Sequence, residues 1–344
     1  MKVIIIKTGA LGDIISASSF FRTVKMNFPE DDIYLLTQDI YKEVVEASPI
    51  FTQIFLLPKR RRFFSFLRIF TKLRRLKPDI VLDIQGNLKT NFYCFLTGAK
   101  KRYGYYRRRL GRIFLTKGVK RKTKKEQAKN SYKDKKPSQS VLELLGIKNY
   151  VKQPELWISE EKRKNFCNLI KRYNLDESKK WIVVHPLSTK GYIAKRWLKE
   201  RFAELADRLI GDGYEVIFIG VGEYEYVKEI MSKMRYIPKN LVDKTDFHNL
   251  CLVIERASLV ITTDSSPLHI STAVRTKTIG IFGSTDPFMI CPEGAEYIYK
   301  KVECNPCYKR VCDDMRCMKA ITVEDIYNKA KEILSDENKH SLFN

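Results

Sequence analysis

Acidic residues are absent from one stretch of this 344-residue chain and scarce in another. Residues 59–77 hold nine Lys/Arg and no acid, a charge of +9. Residues 100–136 hold seventeen Lys/Arg against Glu126 and Asp134, a charge of +15. Together they account for the whole formal net charge of +24; the other 288 residues carry 38 bases and 38 acids. Both stretches lie in the N-terminal half, so the halves face different partners. The basic half is expected to meet a polyanion or an anionic surface. Long apolar runs are also missing: none approaches the ~20 residues of a membrane-spanning helix. The opening run Met1–Lys7 is too short, and too soon interrupted by Lys7 and Asp13, for a secretory signal. The expected compartment is the cytoplasm, with the eight cysteines starting out reduced.

What is present is an alternation of short apolar runs and helical patterns, over a length that suggests two domains. In the first half, strands are predicted at Val3–Lys7, Ile33–Thr37, Ile54–Leu57 and Ile80–Ile84, and helices at Asp13–Asn27, Tyr41–Ala47, Phe63–Leu76 and Leu88–Leu96. In the second, strands are predicted at Trp181–His185, Glu215–Gly220, Leu259–Thr263 and Thr278–Phe282. Helices are predicted there at Lys199–Ile210, Glu223–Met234, Asp246–Arg256 and Val323–Leu334. This is the pattern of α/β doubly wound parallel sheets. The expected division is 1–150, 151–322 and a C-terminal helix and tail at 323–344, with Lys-rich 117–137 a mobile basic loop outside the core. Two such domains in tandem would set their ligand edges face to face across a cleft.

The richest stretch is 262–287. The apolar run Ala257–Ile261 leads to Thr262-Thr263-Asp264-Ser265-Ser266-Pro267-Leu268-His269. Next come Thr278–Phe282 and a second small-residue loop, Gly283-Ser284-Thr285-Asp286-Pro287. Two strand-to-helix turns side by side, with helix N-termini that favour anions, make a phosphate and ribose pocket at the carboxyl edge of a parallel sheet. Near the N-terminus, Lys7-Thr8-Gly9-Ala10-Leu11-Gly12-Asp13 has two readings. One is a tight turn with Asp13 as N-cap. The other is a backbone open to a ligand, with a carboxylate beside it. Its Gly9-x-x-Gly12 spacing is not the G-x-G-x-x-G dinucleotide fingerprint.

Thr8-Gly9-Ala10-Leu11-Gly12-Asp13 resembles the opening of the bacterial lipopolysaccharide heptosyltransferases, glycosyltransferase family 9. Asp83-Ile84-Gln85-Gly86-Asn87-Leu88-Lys89-Thr90 resembles their second N-domain motif. His185-Pro186, Lys195-Arg196-Trp197 and Arg201-Phe202-Ala203-Glu204-Leu205 resemble the opening of their C-domain. The stretch 263–287 resembles their nucleotide-sugar motif. These landmarks occur in order along nearly the whole chain.

The resemblance implies a GT-B fold of two Rossmann-like domains. It also implies inverting transfer of a heptose from ADP-heptose, or from another nucleotide sugar, to an anionic lipopolysaccharide or lipooligosaccharide core. Asp13 would be the general base, with acceptor contacts at Gly12, Gln85 and the basic run Arg60, Arg61 and Arg62. The donor would be held by Ser188, Thr189, Lys195, Asp264, Ser265, Ser266 and His269, and by Glu225 beyond Gly220-Val221-Gly222. Arg196 competes with Lys195 for the phosphate, and Glu223 with Glu225 for the nucleotide. Ser266 stands where the family commonly has Gly. No cofactor is implied. No D-x-D pair occurs, which fits a mechanism without a divalent ion. Cys304-x2-Cys307-x4-Cys312-x4-Cys317 has metal-ligand residue types in no standard spacing, and reduced structural thiols are the preferred reading.

The basic segments admit three readings. Tyr103, Tyr105 and Tyr106, interleaved with Lys101, Arg102 and Arg107–Arg109, are what a nucleic-acid binder would stack on. A solvated charged face is the second. The preferred third is docking on anionic lipid and the phosphorylated core at the cytoplasmic face of the inner membrane, with no nucleic acid bound. Phe63, Phe64, Phe66, Leu67 and Phe70 are then either an amphipathic membrane-facing helix or core.

Overall fold

A computed structural model describes residues 1–58, 63–121 and 137–340. The chain divides into two compact units between Trp157 and Ile158. In chain order the first contains β1 (Lys2–Ile6), α1 (Leu11–Asn27), β2 (Asp32–Gln38), α2 (Lys42–Val45), β3 (Gln53–Leu57) and α3 (Phe63–Arg75). It continues with β4 (Ile80–Asp83), α4 (Leu88–Leu96), β5 (Lys101–Tyr106), α5 (Arg109–Arg112), β6 (Lys117–Lys120) and α6 (Pro137–Leu144). Its six strands are all parallel, in the order β3-β2-β1-β4-β5-β6. β1 lies in the middle, and Val3 to Ile6 are wholly buried, as a strand covered by helices on both faces requires. Phe70 and Leu73 of α3, and Tyr93 and Cys94 of α4, cover one face together with Leu36, Phe55 and Val81.

The second unit contains α7 (Glu160–Tyr173), β7 (Trp181–His185), α8 (Lys199–Gly211), β8 (Glu215–Phe218), α9 (Tyr224–Met231), β9 (Lys239–Asn240) and α10 (Phe247–Arg256). Then follow β10 (Leu259–Thr263), α11 (Ser266–Ala273), β11 (Thr278–Phe282), α12 (Pro287–Ile290), β12 (Glu296–Tyr299), α13 (Arg316–Lys319) and α14 (Val323–His340). Its strand order, β12-β11-β10-β7-β8-β9, repeats that of the first unit when each is counted from its own first strand. α14 belongs to this unit, with Ile326, Ala330 and Leu334 buried in the core beside Leu205 and Leu209 of α8.

In each sheet the winding reverses beside the first strand, between β1 and β4 and between β7 and β10. Open α/β sheets bind ligands at that switch point, beyond the carboxyl ends of the strands. The loops found there are those the sequence singled out, Lys7–Asp13 with Gln85, and His185 with Asp264.

The loop expected at 117–137 begins as β6, paired with β5 through Tyr103↔Lys117 to Tyr106↔Lys120; 122–136 lie outside the described residues. The run 64–70 is neither wholly core nor wholly exposed. Phe70 is core and Phe66 packs on Tyr93 at 5.5 Å, while Phe64 and Leu67 are exposed. Helical periodicity brings 66 and 70 inward and leaves 64 and 67 outward.

Candidate functional site: two strand-end loops

In the first unit β1 ends at Ile6 and α1 starts at Leu11 with Ala10 at the N-cap, so Asp13 is not the cap. It sits in the first turn, where the helix dipole favours a carboxylate. Its side chain is 62% exposed, and Oδ2 lies 3.7 Å from Nζ of the buried Lys7. Burial pushes the Lys7 amine below its ordinary range, opposed by the charge of Asp13. The carboxylate is thus open to solvent on one side and backed by a buried lysine on the other. Gly12 is buried beside it.

Gln85 joins the two switch-point loops: its Oε1 accepts the backbone N–H groups of Thr8 at 3.2 Å and Gly9 at 3.1 Å. Beneath it, Asp83 is fully buried. Its Oδ1 accepts from the Gln85 and Gly86 amides at 2.9 Å each, and its Oδ2 from Asn91 Nδ2 at 2.7 Å. Burial outweighs these bonds and raises the carboxyl to about 6. Asn87 and Thr90 form the capping box of α4. Most of the second N-domain motif therefore builds the loop, and Gln85 is its member at the strand-end edge. Arg60, Arg61 and Arg62 lie outside the described residues.

In the second unit β10 delivers Asp264 to the start of α11, whose first turn has no side-chain cap. Asp264 Oδ2 accepts from Lys195 Nζ at 2.7 Å and from Thr285 Oγ1 at 2.9 Å, in a pocket where both charged side chains are largely buried. Lys195 and Arg196 have different surroundings. Arg196 is buried, ion-paired to Glu223, stacked 4.6 Å from the Tyr226 ring, and bonded to Ser188 Oγ at 3.2 Å. It locks the loop, while Lys195 reaches the Asp264 turn. Trp197 and Phe202 of the same motif are core residues, and the Trp197 indole N–H donates to the Ile321 carbonyl at 3.0 Å.

Ser188 also donates to the Tyr192 carbonyl at 2.9 Å, so its hydroxyl pins the loop; Thr189 is exposed beside it. Ser265 Oγ lies 3.0 Å from His185 Nδ1, and Thr262 Oγ1 lies 3.3 Å from it. Burial first, and the charge of Arg196 second, depress the His185 imidazole to about 3, so it is neutral. Ser266 and His269 lie on α11 and are half-buried. Since Glu223 engages Arg196, the acid facing solvent is Glu225, 78% exposed and 3.7 Å from Lys228.

Some site residues were not singled out by sequence. Lys7 was quoted but given no role; a lysine ending a buried apolar strand was its signal. Arg310 lies 5.0 Å from the Tyr192 ring, which Lys195 also approaches at 5.1 Å. It joins the site through a loop 115 residues from Lys195, which no local pattern reveals. Arg121 lies 5.6 Å from the Tyr105 ring and carries its charge toward Lys7. The stacking platform considered for nucleic acid is contradicted: Tyr103 and Tyr105 are buried, and the Tyr105 hydroxyl donates to the Ile84 carbonyl. Of the motif cysteines, Cys317 is buried and Cys304 exposed. Among the described residues no group of three or more His, Cys, Asp or Glu side chains is arranged to hold a metal ion.

The model of glycosyltransferase family 9 (heptosyltransferase) matches residues 66–317. The chain belongs to that family. It is a glycosyltransferase of GT-B type. Over 354 aligned residues it is 25% identical to lipooligosaccharide heptosyltransferase 2 of Campylobacter jejuni, covering 99% of this chain and 100% of that protein. Two crystal structures share its fold. A family 9 glycosyltransferase from Veillonella parvula matches with a TM-score of 0.82 at 23% identity, over 97% of each chain. The E. coli ADP-heptose lps heptosyltransferase II matches with 0.76 at 18% identity, over 98% of this chain and 100% of that one.

Proposed function

We propose that this glycosyltransferase moves a heptose from ADP-heptose to the inner core of lipopolysaccharide or lipooligosaccharide, with inversion at the anomeric carbon. The observation that carries the reading is the Lys195–Asp264 pair at the switch point of the second sheet, in a family 9 chain. A cation held at 2.7 Å by a carboxylate, beside an uncapped helix N-terminus, suits a diphosphate that gains charge as it leaves. Lys195, Ser265, Ser266 and backbone N–H groups then carry that charge in place of a divalent ion. Thr189, Glu225 and His269 contact the nucleotide or the sugar, and Ser188 holds the loop that presents Lys195.

In the first unit Asp13 is the general base. It takes the proton of the acceptor hydroxyl as that oxygen forms its bond to the anomeric carbon, while the bond to the ADP β-phosphate oxygen breaks. Attack from the face opposite the diphosphate inverts the centre. Lys7 lies behind Asp13, with Nζ 3.7 Å from its Oδ2, and fixes where the carboxylate sits. Gln85, Gly12 and the basic run at 60–62 take the acceptor. Such acceptors are lipid-anchored, so the enzyme works peripherally at the cytoplasmic face of the inner membrane. Among the described residues no helix is long and apolar enough to cross it.

The direct test is a transfer assay with heptose-free core acceptor and a panel of nucleotide sugars. ADP-heptose is expected to be the preferred donor, with NMR of the product showing the inverted anomer. Transfer from a different nucleotide sugar, with none from ADP-heptose, would overturn the donor assignment.

A further inference from the structure

Helix α4 buries Tyr93 and Cys94 together with the polar Thr90 and Asn91, yet leaves two phenylalanines outside: Phe92 is 40% and Phe95 53% exposed. The helix cannot rotate to correct this. Asn91 Nδ2 is tied to Asp83 Oδ2 at 2.7 Å and to the Tyr105 carbonyl at 3.1 Å, and turning it out would strand a buried carboxyl. The short helix α5 packs close against α4 at Gly111, where an added Cβ would lie 2.3 Å from Asn91 Oδ1. It brings Leu110, 55% exposed, and Ile113, 65% exposed. Next to them Phe114 bridges the phenylalanines, 5.3 Å from the Phe92 ring and 6.1 Å from the Phe95 ring.

The charge around this face has one sign. From Ile84 to Arg121 there are eleven Lys/Arg and no acid. Lys89, Arg107, Arg108, Arg109 and Arg112 are all exposed on the same two helices or the turn before α5. An apolar patch ringed by bases fits a bilayer with anionic headgroups: acyl chains accept the side chains and phosphates meet the cations. A second copy of the chain would bring the same positive field against it. Leu110 and Ile113 offer nothing for bases to stack on.

We propose that the α4–α5 face, through Phe92, Phe95, Leu110 and Ile113, inserts into the headgroup boundary of an anionic membrane. This rests on the reading that the acceptor is lipid-anchored. α4 begins three residues after Gln85, and α5 follows directly from the carboxyl end of β5. The docking face thus starts at the sheet edge that carries Asp13, and docking would bring that edge to the bilayer surface.

The test uses the full chain and large unilamellar vesicles, either pure phosphatidylcholine or phosphatidylcholine with about 30 mol% phosphatidylglycerol. Wild type is expected to sediment with the anionic vesicles and weakly with the neutral ones. Phe92→Ser with Phe95→Ser, and separately Ile113→Ser, should lower partitioning by about tenfold or more. Arg107→Gln with Arg108→Gln should lower it on anionic vesicles alone. All variants should keep the wild-type melting temperature, and the phenylalanine and Ile113 variants should keep transfer to a soluble, delipidated core acceptor. Equal vesicle binding by wild type and the phenylalanine variants would overturn the proposal. So would a wild-type dimer that these variants split, or an oligonucleotide that binds through the same residues. Wild type that docks on vesicles this way yet transfers no sugar supports the docking face and contradicts the transfer reading.

Discussion

Lys195 and Arg196 are adjacent in sequence and opposite in environment, so the same truncation has different consequences. Lys195 pairs with Asp264 beside the Tyr192 ring and faces the α11 turn, and a charge-assisted bond to phosphate is worth about 1.5–3 kcal/mol. Lys195→Ala should weaken ADP binding about 10–100-fold by calorimetry, with little change in melting temperature. Arg196→Ala removes the partner of Glu223 and the stack on Tyr226, and should cost about 2 kcal/mol of stability in urea. If instead Arg196→Ala spares stability and abolishes ADP binding, the two roles are reversed. Asp83 gives a pH signature. Its carboxyl moves from the ordinary 3.8 to about 6 in the folded chain, so between those values the folded state holds a proton that the unfolded state has released. The stabilisation it gives is full below about pH 4 and is lost as pH rises through about 6. Denaturation of wild type and Asp83→Asn across this range should show the wild type losing stability relative to the variant from pH 4 to 6, with a constant difference above 7. A constant difference throughout would contradict the shift.

Among the elements, the β4–α4 turn is the one most constrained by backbone geometry. Gly86 has φ +65°, and a Cβ there would lie 2.0 Å from Tyr105 Cδ2 and 2.7 Å from the Tyr105 carbonyl oxygen. Gly86→Ala should cost about 2–4 kcal/mol in urea unfolding and release Gln85 from the Thr8 and Gly9 amides. A loss below 0.5 kcal/mol would mean that the turn relaxes freely. The central strands β1, β7, β10 and β11 are legible in the sequence because helices cover both their faces, which makes them unbroken apolar runs. β5, β6 and β12 are not legible. They lie toward sheet edges and read Lys-Arg-Tyr-Gly-Tyr-Tyr, Lys-Gly-Val-Lys and Glu-Tyr-Ile-Tyr, where charge guards the edge and no apolar run forms. α7 escaped notice because Leu169 is its one buried residue. At the site, the Asp13 and Asp264 loops show as strand-end motifs. The pairing of Lys7 with Asp13 and the approach of Arg310 to Tyr192 depend on the three-dimensional path of the chain, so local pattern does not contain them.

For the molecule as a whole, the charge is divided between the units. The two basic segments belong to the first, so salt should act on the two substrates unequally. Raising NaCl from about 0.05 to 0.5 M should increase KM for the anionic acceptor about tenfold and KM for the nucleotide sugar less than about threefold. Steady-state kinetics at fixed saturating co-substrate measure this. Equal salt slopes would mean that the basic half does not receive the acceptor. The central claim is a division of labour, with proton abstraction in the first unit and leaving-group stabilisation in the second. Asp13→Asn tests it most directly, because it removes the base, keeps the side-chain shape and leaves Lys195 and Asp264 untouched. The expected kcat is about 10²–10⁴ lower, with ADP affinity within about twofold of wild type. Turnover near wild type, or a parallel loss of ADP affinity, would contradict it.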